Sequence, residues 1–289
     1  MIEGAKRSLM AWRSLVKVGV LGLGHMGLPI ARSLHERDHE VFTWSRTKSQ
    51  CRWTHSTSLE TLNIYPLDYL IIASGSARPA LGDVRGEIMS TYDLVPTHFE
   101  KNEPRVIYLS SGAVYGECIN LKSEVDLINP STEYGLAKLA TEQAFFSRYR
   151  ENFCALRIGN VIDWNSPYGV LQAMSKALSQ HRMVFYGNPT DCRDYISIQD
   201  LTLTVSKIIE LDIFPSILNV GSGKVMQLFE LATILREGTR NQIEITWQKN
   251  GVGQLRQTKL EVSKMKSTFG VMPKNPTEIF AEFLSQGLS

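Results

Sequence analysis

A glycine-rich turn near the amino terminus constrains the fold of this chain more than any other segment. The letters GLGHMG begin at Gly22, between an apolar run over 17–22 and an amphipathic segment over 26–35. The run predicts a buried strand, and the segment predicts a helix. Gly22 permits a tight turn, Gly24 lets the backbone approach a phosphate, and Gly27 allows the helix to pack on the strand. The residues of this predicted phosphate-binding turn are Gly22, Gly24, His25, Met26 and Gly27.

Strand and helix candidates alternate along the rest of the first 160 residues. The strands are predicted over 40–44, 69–73, 106–110 and 154–158, and the helices over 83–101, ending near Pro96, and 133–150. Residues 46–66 are polar and leave room only for a short further strand. This alternation predicts an α/β fold built on a Rossmann-type, doubly wound parallel sheet.

The pattern loosens after residue 160. Helices are predicted over 168–180, 199–210, 227–237 and 276–286, and short strands over 183–186, 217–220 and 243–247. We expect a smaller carboxyl-terminal domain that covers the carboxyl ends of the strands, where ligands of open α/β sheets bind. The predicted divisions are an amino-terminal extension (1–16), a dinucleotide-binding domain (17–160) and a substrate-binding domain (161–289), with 192–210 returning to the first domain.

Composition excludes several classes of function. The formal net charge of +2 gives no general attraction to nucleic acid or to an anionic membrane. No apolar run approaches the ~20 residues that span a bilayer, and residues 1–16 lack the features of a secretory signal. Cys51, Cys118, Cys154 and Cys192 are far apart and, like the six histidines, lack metal-ligand spacing. We therefore expect reduced thiols, no metal and a cytoplasmic location.

The end of the second predicted strand bears on the choice of cofactor. Dinucleotide sites that prefer NAD offer an acidic residue there for the ribose hydroxyls. This chain instead has Trp44, Ser45 and Arg46. A guanidinium and a hydroxyl suit a 2′-phosphate, so the sequence favours NADP, with NAD as the alternative.

An acid–base pair is predicted on the helix over 133–150. Tyr134 and Lys138 are four residues apart and therefore share one face. A tyrosine with an ordinary pKa is a poor base at neutral pH, but a nearby ammonium stabilises the phenolate and lowers that pKa. Ser111, at the end of the strand over 106–110, is placed to hydrogen-bond the same substrate oxygen. These residues predict proton exchange with a hydroxyl or carbonyl.

The segments around these residues resemble the extended short-chain dehydrogenase/reductases, the NAD-dependent epimerase/dehydratase family of nucleotide-sugar enzymes. The matching segments, in the family's order, are LSSGAVYG (109–116), YGLAK (134–138), LRIGNV (156–161), RDYISIQDL (193–201), LNVGSG (218–223) and SKMKSTFGVMP (263–273).

The resemblance implies a catalytic set of Ser111, Tyr134 and Lys138, with Lys138 also contacting the nicotinamide ribose. It implies a nucleotide-sugar substrate, held by Asn160 and Arg193 at its diphosphate, and a homodimer formed through the helix that carries Tyr134 and the helix next to it. The expected cofactor contacts are Gly22, Gly24, His25, Met26, Gly27, Ser45, Arg46, Ala73, Ser110, Tyr134 and Lys138.

Other parts of the sequence depart from the family. The family's additional phosphate-binding arginine is replaced by Gly251, so Arg256 is expected to take its place. Asp194 and Asp200 are interpreted as fixing a loop and capping the following helix.

The glycine turn itself looks like that of the β-hydroxyacid dehydrogenases, which need an all-helical carboxyl-terminal domain. Such a dehydrogenase and a catalytically inactive NADP-binding regulatory protein are the alternatives to a nucleotide-sugar reductase or epimerase.

Overall fold

A computed structural model of the chain describes residues 15–45, 55–56, 59–75, 91–166, 169–240, 242–249 and 257–287. The strands are β1 Lys17–Leu21, β2 Glu40–Trp44, β3 His55–Ser56, β4 Tyr69–Ile72, β5 Arg105–Ser111, β6 Phe153–Ile158, β7 Asn160–Ile162, β8 Arg182–Tyr186, β9 Cys192–Ser197, β10 Ile217–Val220, β11 Val225–Gln227 and β12 Glu244–Gln248. The helices are α1 Gly27–His35, α2 Glu133–Tyr149, α3 Val170–Gln180, α4 Ile198–Leu211, α5 Leu228–Gly238, α6 Ser263–Phe269 and α7 Pro276–Gly287. Short 3₁₀ segments cover Leu59–Ile64, Gly112–Tyr115 and Arg150–Asn152.

Seven strands form one sheet in the order β10-β6-β5-β4-β1-β2-β3, and every neighbouring pair is parallel. The order runs outward in both directions from the β4–β1 pair, as in a doubly wound fold. The prediction of a Rossmann-type parallel sheet is therefore confirmed. Strands buried on both faces are continuous apolar runs, and this explains why most of them could be located from sequence.

Helices cover both faces of this sheet. α1, α4 and α6 pack on one face, around a cluster that includes Val20, Leu109 and Leu218. α2 packs on the other face, where Phe145 contacts a cluster with Tyr108 and Phe153. The start of α2 is fixed by Thr132, whose Oγ1 accepts a hydrogen bond from the Gly135 amide at 3.0 Å. A cap of this kind stabilises a helix by about 1 kcal/mol.

Two smaller sheets lie in the second half of the chain. β9 pairs with β7 in parallel and with β11 in antiparallel, and β8 pairs with β12 in parallel. α3, α5 and α7 pack with them around a third apolar cluster, which includes Met174, Leu235 and Phe280. β10, α4 and α6 belong instead to the large sheet and its core. The division of the chain into domains at residue 160 stays a prediction.

Several elements differ from the sequence prediction. β7, β9, β11 and α6 were not predicted. β7 and β11 are three residues each, too short for an alternating pattern, and β9 contains the charged Asp194, whose partners lie far along the chain. Of the helix predicted over 83–101, residues 83–90 lie outside the described residues. The chain is helical at 91–92 and turns from 93. The helix thus ends ahead of Pro96, since proline disfavours helical geometry at the residue before it.

No helix in the part of the chain that the structure describes is both long enough and apolar enough to cross a membrane.

Candidate functional site

The predicted site residues come from loops at one edge of the large sheet. Gly22 follows β1, Ala73 follows β4, Ser111 ends β5 and Asn160 lies two residues after β6. Since all seven strands are parallel, their carboxyl ends meet at this edge. The fold thus gathers residues that are more than a hundred positions apart in sequence.

The structure gives a different reason for glycine at each of the three positions in the turn. Gly22 has φ of +97°, and a Cβ there would lie 2.7 Å from the Ser74 nitrogen. A Cβ on Gly27 would lie 1.9 Å from the Gly22 oxygen. Around Gly24, in contrast, no atom of the described residues lies within 4 Å of the Cβ position. Packing therefore requires glycine at 22 and 27, whereas Gly24 leaves open space beside the backbone.

This turn fits a dinucleotide phosphate. α1 begins directly after it, and the residue at the N-cap is Met26, whose side chain has no oxygen to cap the helix. The buried Ser74 hydroxyl, next to Gly22, has no hydrogen-bond partner among the described residues. A buried hydroxyl of this kind is normally paired. The open space at Gly24, the helix amino terminus and the Ser74 hydroxyl together suit an anionic ligand.

His25 is half-buried in the same turn. Burial lowers the pKa of its imidazole, and the charge of Asp163 opposes this shift. The imidazole is therefore neutral at physiological pH, so it can donate one hydrogen bond but adds no positive charge to the turn.

The residues predicted to select the cofactor are only partly described. Trp44 ends β2 and is fully buried, and Ser45 follows it at intermediate exposure. Arg46 lies outside the described residues. The preference for NADP therefore stays a prediction.

The structure brings Tyr134 and Lys138 to the end of β5. Tyr134 is the second residue of α2, and Lys138 lies one turn later with 7% of its surface exposed. The Lys138 Nζ donates a hydrogen bond to the Leu109 oxygen at 3.1 Å. The same atom lies 4.9 Å from the ring centre of Tyr108 and 5.8 Å from that of Tyr134. The ammonium is thus held beside the Tyr134 ring, and the backbone oxygen that it bonds lies two residues before Ser111.

Ser111 leaves β5 where the chain turns toward α2. Its Oγ accepts a hydrogen bond from the Ala113 amide at 3.2 Å. A Cβ on Gly135 would lie 2.5 Å from the Ala113 oxygen, so the absence of a side chain lets the start of α2 approach this turn. Tyr134, directly before Gly135, is consequently held next to the Ser111–Ala113 turn.

Ser110 has different surroundings from its neighbour Ser111. It is buried, and its hydroxyl donates to Glu142 of α2 at 2.5 Å. Glu142 also pairs with Arg157 of β6, with 2.9 Å between Oε2 and Nη2. The structure thus places Ser110 beneath the edge of the sheet, in a polar group that the sequence analysis missed. The spacing of Glu142, four residues after Lys138, is a signal that could have indicated it.

The residues expected to bind the substrate diphosphate lie on the small sheet next to this edge. Asn160 begins β7 and is exposed, and β7 pairs in parallel with β9, which carries Arg193. The Arg193 Nη1 donates to the Cys192 oxygen at 2.9 Å. Arg256, the third residue of this expected set, lies outside the described residues.

Asp194 fixes the loop that its sequence context indicated. One carboxylate oxygen accepts from both the amide and the hydroxyl of Ser222 at 2.8 Å, and the other accepts from the Gly223 amide at 3.1 Å. Burial raises the pKa of Asp194 to about 6, although these donors act in the opposite direction. Asp200, in contrast, does not cap the following helix as predicted: the capping residue of α4 is Ser197, whose hydroxyl accepts from the Asp200 amide in the first turn.

No group of three His, Cys, Asp or Glu side chains in the described ranges is arranged to hold a metal ion.

Comparison with known proteins identifies the family. The model of the NAD dependent epimerase/dehydratase family matches residues 18–221, well over half of the chain. The chain belongs to this family. The resemblance seen in the sequence motifs is therefore confirmed, and a nicotinamide cofactor is the one that the family name specifies.

Two curated relatives align with part of the chain. A putative UDP-glucose 4-epimerase of Methanocaldococcus jannaschii is 26% identical over 196 residues, which cover 64% of this chain and 63% of that protein. A dTDP-4-dehydro-6-deoxyglucose reductase of Escherichia coli is 30% identical over 148 residues, 46% of this chain and 45% of that protein. The chain thus spans less than two thirds of either relative's length.

Solved structures share the fold over nearly the whole chain. MoeE5, in complex with UDP-glucose and NAD, has a TM-score of 0.80 at 22% identity and covers 94% of this chain and 100% of its own. The β-hydroxyacid dehydrogenase alternative requires an all-helical carboxyl-terminal domain. The strands from β7 to β12 in this region, together with the family match, exclude it.

We predict a specific pH dependence from Asp194. Its pKa of about 6 exceeds the usual value of 3.8, so the folded state holds this proton more tightly than the unfolded state. The resulting stabilisation is present below about pH 4 and is lost as the pH rises through about 6, an effect of about 2–3 kcal/mol. Urea denaturation of the wild type and Asp194→Asn across this range measures it.

The difference in free energy of unfolding between the wild type and Asp194→Asn should change between about pH 4 and pH 6. Asp191→Asn, at a second buried aspartate, is the matched control. Identical pH dependence in the wild type and Asp194→Asn would contradict the assignment.

Proposed function

We propose that the chain is an NADP-linked oxidoreductase or epimerase that acts at a sugar carbon of a nucleotide sugar. One observation carries this proposal: the buried Lys138 ammonium lies beside the Tyr134 ring and bonds the backbone two residues before Ser111. Family membership supports it, as do the two curated relatives, whose names state activity on nucleotide sugars.

The three side chains have distinct chemical tasks. The Tyr134 hydroxyl gives a proton to, or takes one from, the sugar oxygen. The Lys138 charge stabilises the phenolate that forms when the proton leaves Tyr134. The Ser111 hydroxyl donates a hydrogen bond to the same sugar oxygen, which polarises the carbonyl and stabilises the negative charge that develops on that oxygen. When bound, the nicotinamide ring supplies or accepts the hydride.

The remaining contacts hold the ligands in place. The turn from Gly22 to Gly27, with Ser74, would hold the cofactor phosphates, and Ala73 would line the same edge. Asn160, Arg193 and Arg256 would hold the substrate diphosphate. Because the net charge of the chain is only +2, the two arginines must provide most of the attraction for a doubly charged diphosphate.

Replacing the proposed proton donor tests the catalytic assignment. Tyr134→Phe removes only the hydroxyl, so we expect turnover to fall by about 10²- to 10⁴-fold while cofactor binding is retained. Reduction of dTDP-4-dehydro-6-deoxyglucose is followed by the loss of reduced nicotinamide absorbance, whereas epimerisation of UDP-glucose, which leaves the cofactor unchanged overall, is followed by chromatography of the sugar product. Tyr186→Phe, at an exposed tyrosine of β8, is the control and should keep full activity.

Unchanged turnover in Tyr134→Phe would contradict the catalytic role. A wild-type protein that binds the cofactor but turns over no nucleotide sugar would instead favour the regulatory protein.

The cofactor preference is a second testable proposal. We expect NADP to bind more tightly than NAD, because Arg46 and Ser45 suit a 2′-phosphate and β2 ends without a carboxylate. Titration calorimetry should show that Arg46→Ala weakens NADP binding about tenfold or more and leaves NAD binding unchanged. Lys48→Ala, at a neighbouring cation, is the control. Tightly retained NAD in the purified protein would contradict this preference.

We also propose a homodimer formed through α2. Leu136 and Phe146 are each 48% exposed on this helix, and burying them against a second copy would remove apolar surface from water. Sedimentation should show a dimer for the wild type and dissociation for Phe146→Glu. A monomeric wild type would contradict the proposal. A cytoplasmic location likewise stays a proposal.

A further inference from the structure

A row of buried polar side chains crosses three adjacent strands just beneath the carboxyl edge. Ser110 of β5 is the register partner of Arg157 of β6, and Arg157 is the register partner of Asn219 of β10. Their exposed fractions are 4%, 1% and 0%. Such positions in a parallel sheet are normally apolar, so a polar row needs a specific set of partners.

Glu142 of α2 supplies the partner for two members of this row. Its carboxylate accepts from the Ser110 hydroxyl at 2.5 Å and from the Arg157 guanidinium at 2.9 Å and 3.3 Å. Glu142 is itself buried, with 5% exposed. Burial disfavours the charged guanidinium, but the hydrogen bonds and charge of Glu142 outweigh this and raise the pKa of Arg157 above its ordinary value. The charged guanidinium is therefore held directly against the Glu142 carboxylate.

The row continues to the loops around the site. The Arg157 guanidinium carbon lies 4.9 Å from the ring centre of Tyr115, whose hydroxyl donates to the Asn219 Oδ1 at 2.8 Å. The Asn219 amide group then donates to the backbone oxygens of Lys122 and Glu261 at 2.7 Å and 3.0 Å. One connected polar group thus joins α2, three strands and two loops.

The position of Glu142 connects this group to the proposed catalytic set. It lies one helical turn after Lys138 and two turns after Tyr134, on the side of α2 that faces the sheet. Its partner Ser110 directly precedes Ser111. The Glu142 bonds therefore fix the helix that carries the tyrosine and lysine against the strand that carries the serine.

A buried ion pair of this kind adds little stability compared with apolar residues of the same size. Removing one partner, however, leaves an uncompensated charge in the interior. Below the site, that charge would act on Tyr134 through a medium of low effective dielectric. The pair thus has consequences for the chemistry that exceed its contribution to folding.

We propose that Glu142 is a positioning residue of the proposed active site: it sets the placement of Tyr134 and Lys138 against Ser111, and it balances the charge of Arg157 beneath the site. The catalytic part of this inference rests on the proposed function. The titratable and charged groups next to the pair are Lys138 on α2, Cys154 on β6 and Tyr115 in the 3₁₀ segment.

Three variants of the full chain test the inference. Glu142→Gln keeps the shape but leaves the Arg157 charge unbalanced. Glu142→Gln/Arg157→Met removes both charges and restores an uncharged interior. Glu210→Gln is the matched control. The Glu210 side chain is also buried and pairs with an arginine, Arg37 at 2.8 Å, and with Lys207 at 3.1 Å, but it lies in α4 on the opposite face of the sheet.

The readouts are kcat, KM, urea denaturation and the titration midpoint of Tyr134. The midpoint is followed by NMR of ¹³C-labelled tyrosine, with the signal assigned by its loss in Tyr134→Phe. It needs no substrate.

In Glu142→Gln we expect kcat to fall about tenfold to a hundredfold, as for a misplaced catalytic group, with KM for the nucleotide sugar within about twofold. The Tyr134 midpoint should fall by about half a pH unit or more, because an unbalanced positive charge favours the phenolate. In the double variant the midpoint should return to the wild-type value while kcat stays low. Glu210→Gln should change neither.

Equal midpoints and equal kcat in the wild type and folded Glu142→Gln would overturn the inference. If Glu142→Gln does not fold, the double variant decides. A kcat of the double variant equal to that of the wild type would then show that Glu142 has a purely structural role. A wild type without turnover defeats the proposed function alone, since the Tyr134 midpoint still reports whether the pair acts on that residue.

Discussion

The parallel direction of all seven strands is the constraint on which the rest of this structure depends. It brings every carboxyl end to one edge, so the turn after β1, the serine at the end of β5 and the segment after β6 meet although they are distant in sequence. α2 then crosses back over the sheet and presents Tyr134 and Lys138 to the same edge. The site is thus a consequence of topology before any side chain is considered.

Contacts beneath the edge determine how closely these parts are placed. Gly135 lets α2 approach the turn after Ser111, and the Lys138 ammonium bonds the Leu109 carbonyl. The Glu142–Arg157 pair adds a buried, directional connection between the helix and two strands. Apolar packing alone tolerates small shifts of one element past another, whereas these hydrogen bonds specify one geometry.

Much of the fold could be predicted from the sequence because its signals are local. The apolar runs of β1, β2, β4, β5 and β6 can be recognised within short windows, as can α2, which has Glu133 near its start and Arg148 near its end. β9 was missed because its Asp194 is satisfied by Ser222 and Gly223, almost thirty residues later. β7 and β11 were missed because three residues carry too little pattern.

The candidate site follows the same rule. Tyr134, Lys138 and the glycine turn were recognised by spacing and by motif. The pairing of Glu142 with Arg157 could not be recognised from the sequence, because it depends on which strand lies beneath the helix and in which register. Ser74 became a candidate only when its buried hydroxyl was found without a partner among the described residues.

A crystal structure of the full chain with NADP and UDP-glucose would show whether Tyr134 and Ser111 act on one sugar oxygen. We expect the Tyr134 Oη and the Ser111 Oγ both to lie within about 2.6–3.2 Å of that oxygen, with the cofactor phosphates beside Gly24. A sugar bound away from Tyr134, or cofactor phosphates bound elsewhere than at the glycine turn, would contradict it.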